Sequence, residues 1–440
     1  MVDARNQDAT LIADALKIRY NPMTIDRAEG STLFDASGRG WIDFGAGWAV
    51  ANLGYSHPKV KAAIVEQLER TTFAGLISSV NQPALDLADR LISLMPGSFE
   101  KKVWFGHSGS DASEAALRLV LQASGRRRVI SFIGSWHGMT EAGQALSGHP
   151  AFNAGPSSGD VVKLPYPNPR RNPFGGNPEE TVDQLFAYLE GYLFKTICPP
   201  DEVAAIFFET VQSDGGDLVP PGDFLPRLRE VASKHGIYLV VDDVKVGLGR
   251  TGRFFSFEHA GIEADLVILG KALGGGLPLS ALVGRREILD ASVGSALFTT
   301  VGSATVCAAG LATVDAILNE GLLEAATELG GYLQDRLEAS IGHLDEVAEI
   351  RGRGLIRGVE LVDGPGEPNQ ALAAATVYRA WELGLILYYA GNWSNVLELT
   401  PPLVIKHGEI DRGVDLLRQA LIDAVEGRVD LRKVAEFAGW

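Results

Sequence analysis

Short apolar runs rich in β-branched residues recur along the chain, each closing on a glycine or a polar turn. Lys102–Phe105, Arg128–Phe132, Val203–Phe208, Ile237–Val241 and Leu266–Leu269 are such runs. Apolar runs of strand length bounded by turn residues read as strands buried in a parallel sheet. Between them the apolar residues fall at helical spacing. Pro58–Glu69 opens on a helix-start proline and carries Val60, Ala63, Ile64 and Leu68 at that spacing. Asn81–Met95 gathers Leu85, Ala88, Leu91, Ile92 and Met95 on one face and keeps Asp86, Asp89 and Arg90 off it. Thr181–Leu193 reads as a further helix, and Pro165–Pro178, rich in proline and asparagine, as a long surface loop.

The two ends of the chain depart from this alternation. Up to about Gly30 the sequence reads as an arm with one short amphipathic helix, Thr10–Ile18. Ser37–Gly40 reads as a hairpin turn between two short strands, after which Gly45–Trp48 leaves on flexible backbone. A loop after Val293 leads into a long apolar helix. Then come helix Leu322–Leu337, a segment over 347–362 turning at Arg351–Gly354, and helix Gln370–Leu383. Strands Leu385–Tyr389 and Val396–Thr400 and helix Glu409–Val425 complete the chain. Strands on short turns with helices to one side point to a small α+β domain with an antiparallel sheet. The expected division is an N-terminal segment (1–50) packed on the small domain, a large domain (51–320) and a C-terminal small domain (321–440).

Composition narrows the function. The 440 residues are 46% hydrophobic, enough for a large core and more than one domain. A formal charge of −16 argues against nucleic acid and anionic membranes as partners. Cys198 and Cys307 lie far apart, so no disulfide framework is expected and a reducing compartment fits. The polar N-terminus lacks a signal-peptide core, and no run approaches the ~20 apolar residues of a membrane span. A soluble, cytoplasmic protein is expected.

The candidate chemistry gathers at strand ends. Ile237–Val241 ends directly in Asp242, and Leu266–Leu269 reaches Lys271 after one glycine. In an open α/β sheet the ligand sits beyond the carboxyl ends of the strands, so an acid and an amine placed there face one crevice. Pyridoxal 5′-phosphate (PLP) needs such a pair: a lysine for the imine, and a carboxylate to keep the pyridine nitrogen protonated. Ser108, Gly109 and Ser110 follow another strand at the start of a helix, where free N–H groups favour a phosphate; ordinary Ser/Asp capping explains them equally well. Trp136 follows Arg128–Phe132 and offers a face to a flat ring. His137 reads as structural, with no second His or Cys at metal-ligand spacing. Glu209, Gln212 and Asp214 cluster past Val203–Phe208. Gly247–Gly252 matches GxGxxG by spacing, but no helix follows it and it lies outside a first βαβ unit, which excludes a dinucleotide site. Trp48, Tyr389 and Trp393 are nominated as substrate-pocket walls.

Taken together, SGSDA at 108–112, GSWHG at 134–138, ETVQSDGG at 209–216, VVDDVKVGLGRTGRF at 240–254 and LGKALGGGLPLSA at 269–281 resemble the class III (ω-type) PLP-dependent aminotransferases of fold type I. The similarity spans nearly the whole chain. Within that class the chain looks closest to the α-amino-ε-caprolactam racemases, on WFGHSGSDA, QSDGG, DDVKVGL, LYYAGNWSNVLELTPPL and the terminal FAGW. The resemblance implies a mostly parallel seven-stranded sheet in the large domain and a smaller α+β C-terminal domain. It makes Lys271 the Schiff-base lysine, Asp242 the partner of the pyridine nitrogen and Trp136 the stacking aromatic. Ser108, Gly109 and Ser110 become the phosphate cradle, and Gln212 a contact near the 3′-oxygen. Thr299 is implied to reach the phosphate of a partner subunit, which makes the protein a homodimer with shared sites. Asp214 is implied to be a second proton-exchanging base opposite Lys271, with Lys245 beside it setting its charge. Three departures stand out. Asp242-Asp243-Val244-Lys245 replaces the frequent Asp-Glu-Val-Gln, Gly302-Ser303-Ala304 replaces Gly-Asn-Pro, and no arginine precedes Pro401-Pro402. A site without that arginine suits a substrate lacking a free α-carboxylate. The expected activity is racemisation of α-amino-ε-caprolactam and of amino-acid amides; an ω-aminotransferase and a racemase of free amino acids are the alternatives.

Overall fold

The computed structural model describes residues 4–152, 160–437 and 439; Ala438 and Trp440 of the terminal motif lie outside them. A seven-stranded sheet occupies the centre. Its strands are β1 (Lys101–Gly106), β2 (Arg128–Phe132), β3 (Val161–Leu164), β4 (Val203–Phe208), β5 (Tyr238–Asp242), β6 (Leu266–Leu269) and β7 (Ser280–Arg285). Their order is β1-β7-β6-β5-β4-β2-β3. Only β7 runs against its neighbours, β1 and β6; every other pairing is parallel. All residues of β4 and β6 are buried, because both faces of the sheet are covered. One face packs Val240, Ile268 and Phe207 against Ala112, Ala116 and Val120 of helix Gly109–Ser124. The other packs Phe208, Val241 and Leu269 into the main core. The carboxyl ends of the parallel strands therefore share one edge.

Strands Val347–Arg353, Ile356–Leu361, Val396–Leu399 and Tyr388–Ala390 form a four-stranded antiparallel sheet. Helices Leu322–Ile341, Gln370–Leu383 and His407–Val425 accompany it. This is the expected fold class, an α/β body with a smaller α+β C-terminal part. A third sheet joins Arg27–Glu29, Thr32–Phe34 and Gly40–Asp43 to Leu385–Ile386, the last two in parallel. The run Leu385–Tyr389 is thus not one strand. It leaves one sheet after Ile386, passes the buried Leu387 and enters another at Tyr388. No single helix among the described residues is long and apolar enough to cross a membrane.

Two further readings change. The first helix covers Ala4–Leu11, and only a short 3-10 turn, Asp14–Leu16, follows it. Leu11, Ile12 and Leu16 stay exposed, so no packing supports a helix through residue 18. The Gly45–Trp48 segment is pinned rather than flexible. Ala46, Gly47, Trp48 and Ala49 all have positive φ (46°, 59°, 65° and 59°), forming a left-handed turn that side chains resist. The buried Asp43 holds it. Its Oδ1 accepts the Gly45 and Ala46 N–H groups (2.8 and 3.0 Å), and its Oδ2 accepts the Tyr55 hydroxyl (2.6 Å). Thr400 adds a hydroxyl bond to the Gly45 carbonyl at 3.0 Å.

Candidate active site

At the carboxyl edge of the sheet a cavity of about 200 Å³ is lined by Gly109, Ser110, Trp136, His137, Gly138, Glu209, Ser213, Asp214, Asp242, Val244, Lys245, Val246 and Lys271. Each wall follows a strand end. Lys271 opens a 3-10 turn just past β6 at φ +42°, a strained angle for a side chain at a working position. Burial and the charge of Lys245 hold its amine below the ordinary lysine range, which favours the neutral, nucleophilic form.

Asp242 is the last residue of β5. Its Oδ2 accepts a 2.7 Å bond from His137 Nδ1, and its Oδ1 accepts the Val244 N–H at 3.0 Å. His137 is buried, and its Nε2 has no partner among the described residues. The histidine read from the sequence as structural thus belongs to the site. Its sequence signal was its place directly after Trp136, in a loop leaving a strand end.

Helix Gly109–Ser124 points its N-terminus at the cavity through Gly109 and Ser110. Ser108 does not line it. The Ser108 hydroxyl accepts the Asp111 N–H while Asp111 accepts the Ser108 N–H, a reciprocal cap. Close packing explains the glycines here. A Cβ on Gly138 would lie 2.6 Å from Ser110 Cα, and one on Gly109 would lie 2.9 Å from Val244.

The electrostatics centre on Lys245. Its Nζ lies 2.5 Å from Glu398 Oε2 and 3.7 Å from Asp214 Oδ2, so its main partner is Glu398, not Asp214. Burial works against the ammonium, but Asp214, Glu398 and Asp217 outweigh it and raise its pKa. Burial likewise opposes ionisation of Asp214, but the charges of Lys245, Lys271 and His149 prevail and lower its pKa. Burial, then the charges of Asp242 and Asp214, push Glu209 well above the carboxylate range. Asp217, wholly buried, is also pushed well up by burial and by Glu398. The cavity therefore holds ionised Asp214 beside Glu209, a carboxyl that favours the neutral form.

The remaining nominated residues lie outside this cavity. Gln212 donates from its side-chain amide to the Ile133 carbonyl (3.0 Å) and faces a separate cavity with Trp393. Trp393 is half exposed beneath the Arg171 guanidinium. Trp48 stacks on Tyr388 (4.4 Å between centroids, 15°), with Lys245 Nζ 5.3 Å from its ring. Tyr389 is buried edge-on to Tyr20. Thr299 is exposed on its own chain; its neighbour Thr300 shares a 2.7 Å hydrogen bond with His107 Nε2, one residue before the helix cap.

The class-III aminotransferase family description matches residues 15–421. The chain is 37% identical to the leucine/methionine racemase of Thermococcus litoralis, covering 97% of this chain and 96% of that protein. It is 35% identical to the alanine/serine racemase of Pyrococcus horikoshii, over 97% of this chain and 91% of that one. The ω-transaminase of Pseudomonas jessenii, solved in complex with PMP, superposes with a TM-score of 0.89 at 28% identity, covering 97% and 99% of the two chains. The cofactor is pyridoxal 5′-phosphate, and the residues present fit it: a buried amine of lowered pKa, a carboxylate tied to a histidine, a helix N-terminus cleared by glycine, and an aromatic wall. An α/β sheet that brings these groups to one edge, matched over nearly its full length, places the chain in the class-III aminotransferase family of fold type I PLP enzymes.

Proposed function

We propose that the protein is a PLP-dependent racemase that interconverts D and L α-amino-ε-caprolactam, and α-amino-acid amides, by proton exchange on both faces of Cα. The observation that carries this reading is Asp214, ionised and in the same cavity as Lys271. An aminotransferase moves its proton with the lysine alone; a racemase needs a group on each face. When bound, the cofactor supplies a sink for the electrons left at Cα. Lys271, its amine lowered, holds the proton on one side. Asp214 takes or returns it on the other. Asp242, steadied by His137, is the partner of the ring nitrogen, Gly109 and Ser110 face the phosphate, and Trp136 the ring. The preference for a neutral substrate rests on the cavity wall, which carries no arginine among the described residues.

The relatives favour a second reading, racemisation of free amino acids, since two of them carry that activity in their names. Incubation with L-α-amino-ε-caprolactam, L-leucine amide and L-leucine, with and without a keto acid, separates the readings by chiral chromatography. D-lactam and D-amide formed without keto acid are expected. Turnover that requires the keto acid sinks the racemase, and faster conversion of leucine than of its amide sinks the neutral-substrate preference. The working unit in this reading is a homodimer, with Thr299 of each chain serving the phosphate site of the other.

A further inference from the structure

We propose that Glu398 sets the charge class of the substrate: by engaging the Lys245 ammonium it leaves the cavity a hydrogen-bond donor with no positive charge to spare, which selects an amide or lactam carbonyl over an α-carboxylate. This rests on the racemase reading and refines it. Among the described residues lining the cavity, Lys245 and Lys271 are the only lysines or arginines, and Lys271 is committed to the cofactor. Recognition of the group beside the substrate's Cα therefore falls to Lys245. Its ammonium is already enclosed. Glu398 Oε2 lies at 2.5 Å, Asp214 Oδ2 at 3.7 Å, and the face of Trp48 covers it at 5.3 Å.

Glu398 is fully buried in strand Val396–Leu399, and its Oε1 has no hydrogen-bond partner among the described residues. The hydrogen bonds of the neighbouring arginines go elsewhere: those of Arg250 to the Leu355 and Pro401 carbonyls and Asn52, and those of Arg351 to Glu349, Glu360 and the Gly216 carbonyl. Burial pulls Glu398 toward the neutral acid, and its contact with Lys245 works against that. A substrate carboxylate reaching Lys245 would compete with Glu398 and Asp214 for one ammonium, in a buried site where like charges repel strongly. A neutral carbonyl oxygen accepts the same N–H with no added charge. Discrimination then comes from a built-in repulsion as much as from attraction.

Glu398→Gln tests this with little change in shape. The ratio of kcat/KM for leucine to that for leucine amide should rise at least about tenfold, the size expected when a hydrogen bond to a charged group is gained, chiefly through a lower KM for leucine. The Kd of 4-methylpentanoate, the amine-free acid, for the holoenzyme should fall relative to that of its amide, measured by calorimetry. In Lys245→Gln/Glu398→Gln, where both charges are gone, that gain should vanish and the amide KM should rise. An unchanged ratio and unchanged relative Kd in Glu398→Gln overturn the proposal, as does a gain that survives in the double variant. If Glu398→Gln does not fold, an unchanged amide KM in the double variant overturns it alone. The wild-type assay above tests the racemase reading separately, because it does not involve these variants.

Discussion

In the proposed mechanism Asp214 depends on its neighbours. Burial alone would neutralise it; the Lys245 ammonium above all holds its pKa down, while Glu209 in the same cavity is driven toward the neutral acid. Asp214→Ala should lower racemisation by ~10²–10⁴-fold, the usual contribution of a positioned acid–base group. The visible absorbance of bound cofactor should persist in that variant and be lost in Lys271→Ala. Full-speed racemisation by Asp214→Ala would remove the second base. That Lys271, Asp242, Trp136 and Asp214 line one cavity is legible in the sequence because each lies at or past a strand end. Glu398 and His137 are not, because their roles are made by pairing across the fold. Glu398 meets Lys245 153 positions away, and His137 meets Asp242 105 positions away. Nothing in Leu397-Glu398-Leu399 foretells that a carboxylate there points at a lysine.

At the scale of elements, the helix Gly109–Ser124 and the loop 134–138 work as a pair. The reciprocal cap of Ser108 and Asp111 fixes the helix start, and the Ser110 hydroxyl accepts the Met139 N–H at 3.1 Å. Gly138 makes the contact possible, at φ +114° and with no room for a methyl group. Gly138→Ala should therefore displace Ser110 and weaken cofactor retention at least about tenfold, since helix N–H groups bind anions only when they face them. Dialysis against a carbonyl trap, followed by absorbance, measures it; wild-type retention would show that the loop yields. Most elements are readable from periodicity, and helix Gln370–Leu383 coincides with its expected span. Strands β3 and β7 and helix Phe224–His235 escape notice. Ser280–Arg285 mixes serine, glycine and arginine with its apolar residues, and only pairing with strands on both sides makes it a strand. The left-handed turn at 46–49 is equally hidden, because its angles are imposed by Asp43 and Thr400 rather than by local preference.

For the molecule as a whole, the proposed homodimer gives the exposed Thr299 a role at the partner's phosphate site. Light scattering of the holoenzyme should give twice the chain mass of 47.0 kDa, and Thr299→Ala should loosen the cofactor. A particle of one chain's mass would refute the shared site. Within each chain, distant segments are fastened near the cavity. Arg250, fully buried, bonds Asn52, Leu355 and Pro401 at once. The hand-over at Leu387 fastens more. Because one short stretch of backbone belongs to the N-terminal sheet at Ile386 and to the C-terminal sheet at Tyr388, neither sheet can swing without dragging the other. Trp48, just past the first sheet, and Glu398, in the second, should then move like a single door leaf on a common hinge. Amide hydrogens of Ile42 and Leu397 should exchange with solvent in step, and independent rates would mean that the leaf is split.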